Sequence, residues 1–266
     1  MKRNLLTCLI LLVQLLPLQA GLLDDERTTI ELFNRLYQAT DDSARQAANQ
    51  SLREHLAVVL THDSAFDYPF ASVTHMGKVM SDDGAVRIIS WNYRQDAGTY
   101  GYEAFVMHRQ KGKVRVNNLS ASKGIKPKES DKYNAKNWYG SLYYNIFAIK
   151  GTYYLLGYST YNDITKIKVI DVLSFSGSDL ELGAPVFAVG KKNNLRKVFE
   201  YSAKAQMSIQ YDAETNRFIF DHLSPSEPAL KELFQFYGPD FSYEALSLKK
   251  KRWILEDDVD VKSKLP

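Results

Sequence analysis

Apolar and polar positions change their spacing twice along the first part of this chain. Lys2 and Arg3 precede a run from Leu5 to Leu18 that is apolar apart from Thr7 and Gln14 and ends at Leu18-Gln19-Ala20. A short basic end, an apolar segment and a small residue at the expected cut are the layout of a secretory signal peptide over residues 1–20, cleaved near Ala20. Pro17, Gln19 and then Asp24-Asp25-Glu26 stop the run short of the about 20 apolar residues that a membrane span needs. No second run of span length follows, so no transmembrane segment is expected once the signal is removed.

From there the spacing is helical. Ile30, Phe33, Leu36 and Tyr37 recur on one face behind an acidic start, and Thr40-Asp41-Asp42-Ser43 breaks the chain and recaps it. A second face then carries Ala44, Ala48, Leu52, Leu56 and Val59, so residues 21–62 are predicted to form a helical hairpin.

The remainder, 63–266, reads as strands separated by turn residues. Val86 to Trp91, Tyr102 to His108 and Val114 to Val116 are strand-like; Ser81 to Gly84, Lys150-Gly151, Ser176 to Asp179, Lys191 to Asn194, Ala213 to Asn216 and Lys249 to Lys251 are turns. Sequential hairpins with no room for crossover helices predict a mainly β (α+β) protein built of antiparallel β-meander sheets. The alternative is an irregular propeller-like or barrel-like β architecture. Residues 120–137, rich in Lys, Ser and Asn, mark an exposed loop or soft boundary.

Composition sharpens the picture in two ways. The signal takes Lys2 and Arg3 with it, so 34 basic residues fall to 32 against 31 acidic ones and no basic footprint for nucleic acid remains. It also takes Cys8, the only cysteine, so the mature chain has no disulfide and no thiolate. The remaining 246 residues are enough to bury about 70–75% of the unfolded surface by ordinary packing.

Motifs for nucleophile elbows, phosphate loops, dinucleotide fingerprints and zinc helices are missing, and no cofactor is expected. His62, Asp63, Asp67 and His75 offer oxygen and imidazole groups near one another, but their spacing matches no rigid ligand pattern and no metal is expected. Glu200 and Asp171 are single acids in otherwise apolar strands, so each, if buried, needs a Lys, Arg or Tyr partner. Glu200, Asp221 and Asp240 are candidate acids and His222 a candidate base for a hydrolase. Strand alternation puts His222 with Phe218 and Phe220, on the face opposite Ile219, Asp221 and Leu223. Among 17 tyrosines, Tyr143, Tyr153 and Tyr158 crowd one hairpin region beside Trp138, a candidate aromatic platform for a ligand.

Several segments together resemble a group of secreted Bacteroidota proteins of uncharacterised activity. They are Tyr154 to Tyr158, Lys168 to Leu173, Phe199 to Ala203, Met207 to Asp212, Phe218 to Pro225 and Phe236 to Tyr243. The resemblance implies export in a Gram-negative cell, to the periplasm or beyond, and carries no activity or catalytic residue. Two expectations follow: a non-catalytic envelope or extracellular protein that binds a glycan, peptide or protein partner, or a carboxylate-dependent hydrolase acting on an envelope or extracellular polymer.

Overall fold

The computed structural model describes residues 21–177, 179–189 and 192–260. The expected signal peptide and Cys8 lie outside the described residues, as do Ser178 and Lys191 of two expected turns. The chain is mainly β with two N-terminal helices, and one of its sheets curls into a half-barrel. Helix α1 covers 21–38 and α2 Asp42–Val59, whose N-cap Asp41 accepts the Ala44 N–H at 2.9 Å. No described helix is long and apolar enough to cross a membrane.

Three sheets follow. Sheet A is the meander β1 (Gly77–Met80), β2 (Val86–Arg94), β3 (Tyr100–Gln110) and β4 (Lys113–Ala121). Sheet B comprises β5 (Tyr133–Asn134), β6 (Leu142–Ile149), β7 (Thr152–Ser159), β8 (Thr165–Ser176) and β9 (Asp179–Leu182), in the order β5-β9-β8-β7-β6. Strand β12 (Lys197–Ser202) pairs with the first half of β8. Sheet C holds β10 (Phe187–Val189), β11 (Lys192–Asn194), β13 (Ile209–Asp212), β14 (Arg217–Pro225), β15 (Tyr237–Lys249) and β16 (Arg252–Glu256). Its order is β11-β10-β16-β15-β14-β13, and the β10–β16 pairing is parallel. That pairing departs from a pure antiparallel meander, because the chain returns β16 to lie between two earlier strands.

The elements stack in layers, with a separate apolar core at each junction. Leu36, Leu52 and Leu56 of the helices meet Ile89, Trp91 and Phe105 of sheet A. The opposite face of sheet A, through Ile88, Ala104 and Val106, meets Leu155 and Val169 of sheet B. The far face of sheet B, through Leu156, Ile170 and Val172, meets Phe218, Phe220 and Trp253 of sheet C. Alternate residues of β2 and β3 therefore serve different cores, which is why these strands are apolar almost throughout.

Two buried polar clusters lock the layers. Between α2 and sheet A, Asn49 donates to Glu103 Oε1 at 2.9 Å and accepts from Trp91 Nε1 at 2.9 Å, while Ser120 donates to the same Oε1 at 2.8 Å. Asn49 opens a glycosylation-type tripeptide, yet it is buried and committed to these bonds. Within sheet B, Arg196 and Asp171 are both fully buried, with Nε to Oδ2 at 3.1 Å. Arg196 also donates to the carbonyls of Lys128 at 2.6 Å, Asp131 at 2.5 Å and Leu182 at 3.1 Å, and lies over the Tyr133 ring at 4.6 Å. Burial works against the guanidinium charge, but Asp171 beside it outweighs this and holds the Arg196 pKa above its ordinary value.

Two outcomes test these clusters. Arg196→Leu strands the Asp171 carboxylate in the core and is expected to cost about 3–5 kcal/mol in urea unfolding, with part recovered by adding Asp171→Asn. Burial raises the Glu103 pKa against the opposing bonds from Asn49 and Ser120. The native state therefore binds its proton at higher pH than the unfolded chain, so this group's contribution to stability is lost as pH rises through the folded pKa. Glu103→Gln is expected to raise the thermal midpoint relative to the parent above that folded pKa. The advantage shrinks as pH falls toward the unfolded value of about 4.3.

Candidate functional site

The candidate residues at the C-terminal end of the chain are arranged by an irregularity between β14 and β15. The two strands pair in register from Arg217↔Ser247 to Asp221↔Tyr243, then resume at Leu223↔Pro239. One β14 residue, His222, thus faces Asp240, Phe241 and Ser242, and the surplus is extruded as a bulge. Alternation breaks here: Leu223, expected on the face opposite Phe220, packs against the same core.

Phe241 stands at the apex, 96% exposed, with φ at +70°. That left-handed conformation costs an L-residue roughly 1–2 kcal/mol. The turn is held by Asp240, whose Oδ1 accepts the Ser242 N–H at 3.1 Å and the Ser242 hydroxyl at 2.7 Å, while Oδ2 lies 2.7 Å from His222 Nδ1. Slight burial pushes the Asp240 pKa up, but the bonds from Ser242 and His222 outweigh it and hold the carboxyl well below the usual carboxylate range. The Asp240 carboxylate is therefore ionised throughout the neutral range.

Two grooves flank the bulge. One of about 500 Å³ runs past Ser202, Lys204, Pro225, Phe236 and Asp240. The other, about 360 Å³, lies on the outward face of sheet C beside Ile219, Asp221 and Tyr243.

The four hydrolase candidates do not gather in one place. Only His222 and Asp240 meet. Asp221 turns its Oδ2 to the Ser208 N–H at 2.6 Å. Glu200 lies on the sheet B side, bound by Lys126 Nζ at 2.5 Å, the Tyr161 hydroxyl at 2.6 Å and the Thr165 hydroxyl at 2.9 Å. Burial alone would raise the Glu200 pKa, yet these partners carry it below its ordinary value. The partners that the sequence demands for Glu200 and Asp171 are thus present, and they are structural.

Ser242, Asp240 and His222 have the composition of a catalytic triad but not its wiring. An activated serine donates to the histidine, with the carboxylate behind; here Ser242 donates to the carboxylate itself. The hydroxyl gains no base.

The aromatic candidates fare similarly. Trp138 is 4% and Tyr143 2% exposed, joined by Trp138 Nε1 donating to the Tyr143 hydroxyl at 2.9 Å. Half-buried Tyr153 donates to Asp83 at 3.0 Å, and Tyr158 accepts from the Thr160 hydroxyl at 3.2 Å. Burial and Asp83 push the Tyr153 pKa up to about 12. Around the metal candidates, Asp67 pairs with Arg109 and the His75 ring lies 4.5 Å from that of Tyr37, while His62 and Asp63 are exposed. Among the described residues no three His, Cys, Asp or Glu side chains converge on a metal position.

Phe241, Ile219 and Tyr243 were not singled out by sequence reasoning. Their signal was Gly238-Pro239-Asp240, turn residues inside a strand run, which mark a bulge. If the bulge stores strain as described, Phe241→Gly is expected to stabilise the fold by up to about 1 kcal/mol in urea unfolding, because glycine adopts positive φ without penalty.

Comparison with known proteins finds no matching family, no matching curated relative and no matching solved structure.

Proposed function

We propose that this is a non-catalytic exported protein of the envelope or extracellular space that binds a glycan, peptide or protein partner at the bulged end of sheet C. The observation that carries the reading is Phe241, held almost fully in water on strained backbone by a dedicated Asp240–His222 pin. Strain of this kind persists only where surrounding structure imposes it, and it clusters at functional positions. Burying a phenylalanine against a partner returns about 1.5–3 kcal/mol, comparable to the strain. The hydrolase alternative rests on the His222–Asp240 pair, with the Glu244 carboxyl near enough to feel both charges and raised in pKa by burial, but Ser242 donates to the carboxylate and so is not an activated nucleophile. Export remains the expectation drawn from residues 1–20.

A photoreactive phenylalanine analogue at position 241 provides the test. In cells of origin it is expected to form a discrete adduct, one that is missing when the analogue replaces Val58, an exposed position on α2. Equal labelling at both positions, or none at position 241, would overturn the reading.

A further inference from the structure

One sheet edge is unlike the others. Among the described residues the terminal strands β1, β5, β11 and β13 span only two to four residues each. The longer β6 is bulged between Tyr143 and Asn145, and side chains take two of its amides: Tyr143 N–H donates to Ser90 Oγ at 3.3 Å and Ala148 N–H to Asp82 Oδ1 at 2.8 Å. In contrast, β4 ends sheet A with nine residues, and its register with β3 runs unbroken from Tyr102↔Ala121 to Gln110↔Lys113. Proteins ordinarily blunt an edge by shortening or bulging it, and β4 is neither short nor bulged. We propose that the free edge of β4 is a peptide-binding site that takes an extended, acid-bearing segment of a partner protein as a fifth strand of sheet A. The proposal goes beyond the reading above and involves neither Phe241 nor the bulge in sheet C.

The turn between β3 and β4 fixes which backbone groups are free. Lys111 and Gly112 form a two-residue turn with φ at +51° and +76°, a geometry whose flanking pair, here Gln110↔Lys113, exchanges both of its hydrogen bonds. Every second pair then does the same. Arg109 gives an independent check of the phase, since its N–H turns away from β4 to the Ala85 carbonyl at 2.8 Å. Val114, across from Arg109, therefore points its own N–H and C=O outward, as do Val116 and Asn118. The result is a row of backbone donors and acceptors at the spacing that a neighbouring strand uses.

The side chains set the chemistry of the occupant. Val114 and Val116 face the helices and are only half-buried against that core, so an added strand gains apolar neighbours on this side. Lys113 and Arg115 face the other way and are exposed. Arg115 is held by a carbonyl, that of Gly177 at 2.7 Å, rather than by a carboxylate, and Lys111 in the turn adds a further exposed cation. The 3₁₀ turn Asp63–Phe66 touches β4 from the helix side, and Asp67 after it pairs with Arg109. An occupant with an acid at every second position and an apolar residue between thus complements both sides of β4 at once. The same edge of a second copy offers no counter-charge, because β4 contains no acid. An anionic polysaccharide answers the cations but brings no backbone ladder to the row of N–H and C=O groups.

The test is fluorescence anisotropy of the folded protein with a labelled, end-capped seven-residue peptide that alternates glutamate and valine. It is expected to bind about tenfold or more tightly than the lysine–valine counterpart, and Lys113→Glu combined with Arg115→Glu is expected to reverse that preference. N-methylation at the valines is expected to abolish binding if the added strand is antiparallel, and N-methylation at the glutamates if it is parallel, because these are the amides that would face β4. Asn118→Pro removes an outward N–H but no bond to β3, and is expected to weaken binding about fivefold or more. The charge reversal alters only exposed side chains, so the test stands even where the proline variant fails to fold. No binding, equal binding of the two peptides, or tolerance of N-methylation in both sets would each overturn the proposal. So would a dimer of the protein alone that Asn118→Pro abolishes, which would assign the edge to a second copy.

Discussion

The Arg196 guanidinium is the interaction on which the middle of the molecule depends. It is fully buried, yet it joins β8 through Asp171, β9 through the Leu182 carbonyl, and the 128–131 segment through two further carbonyls. A hydrophobic residue of the same volume could fill the space but would leave those three carbonyls and Asp171 without partners. A buried ion pair gives little net stability; what this one supplies is position. It fixes where the irregular 120–137 stretch lies against sheet B, and sheet B is the layer from which both A and C take their orientation.

The layering explains why the aromatic residues are placed as they are. A stack of three sheets and a helical layer has several internal interfaces, each needing wide, flat side chains, and tyrosine supplies width with a hydroxyl that can find a partner at the edge. Tyr139 shows the pattern, its ring in the A/B core and its hydroxyl donating to Asp171 at 2.9 Å. The aromatic richness of the chain thus reflects the number of its interfaces more than its surface. Among the described residues the most exposed aromatic ring is instead Phe241, outside the tyrosine-rich hairpin.

The helical hairpin and most turns were legible because local chemistry decides them: Asp41 caps α2, Lys150-Gly151 closes β6 onto β7, and Lys249 to Lys251 closes β15 onto β16. The need for partners at Glu200 and Asp171 was legible for the same reason, since a charge within an apolar run has few solutions. Strand order was not, because the insertion of β16 beside β10 and the joining of β12 to β8 depend on contacts distant in sequence. The bulge was hidden by assuming unbroken alternation through His222. Trp138 and Tyr143 read as a platform because composition alone does not tell an interface between sheets from one with a ligand.

The parallel pairing of β16 with β10 has a consequence for how the molecule is made. The place between β10 and β15 is filled by β16, the last of the described strands, so sheet C stays divided into two parts until residues 252–256 are in place. Sheet A, whose neighbours are all consecutive, can close as it emerges. Contact distance thus favours closure of sheet A ahead of the central gap in sheet C, whose pairing joins residues far apart in sequence. During that interval the edge of β15 that β16 will pair keeps its backbone N–H and C=O groups open, and such an edge is a template on which another strand can add.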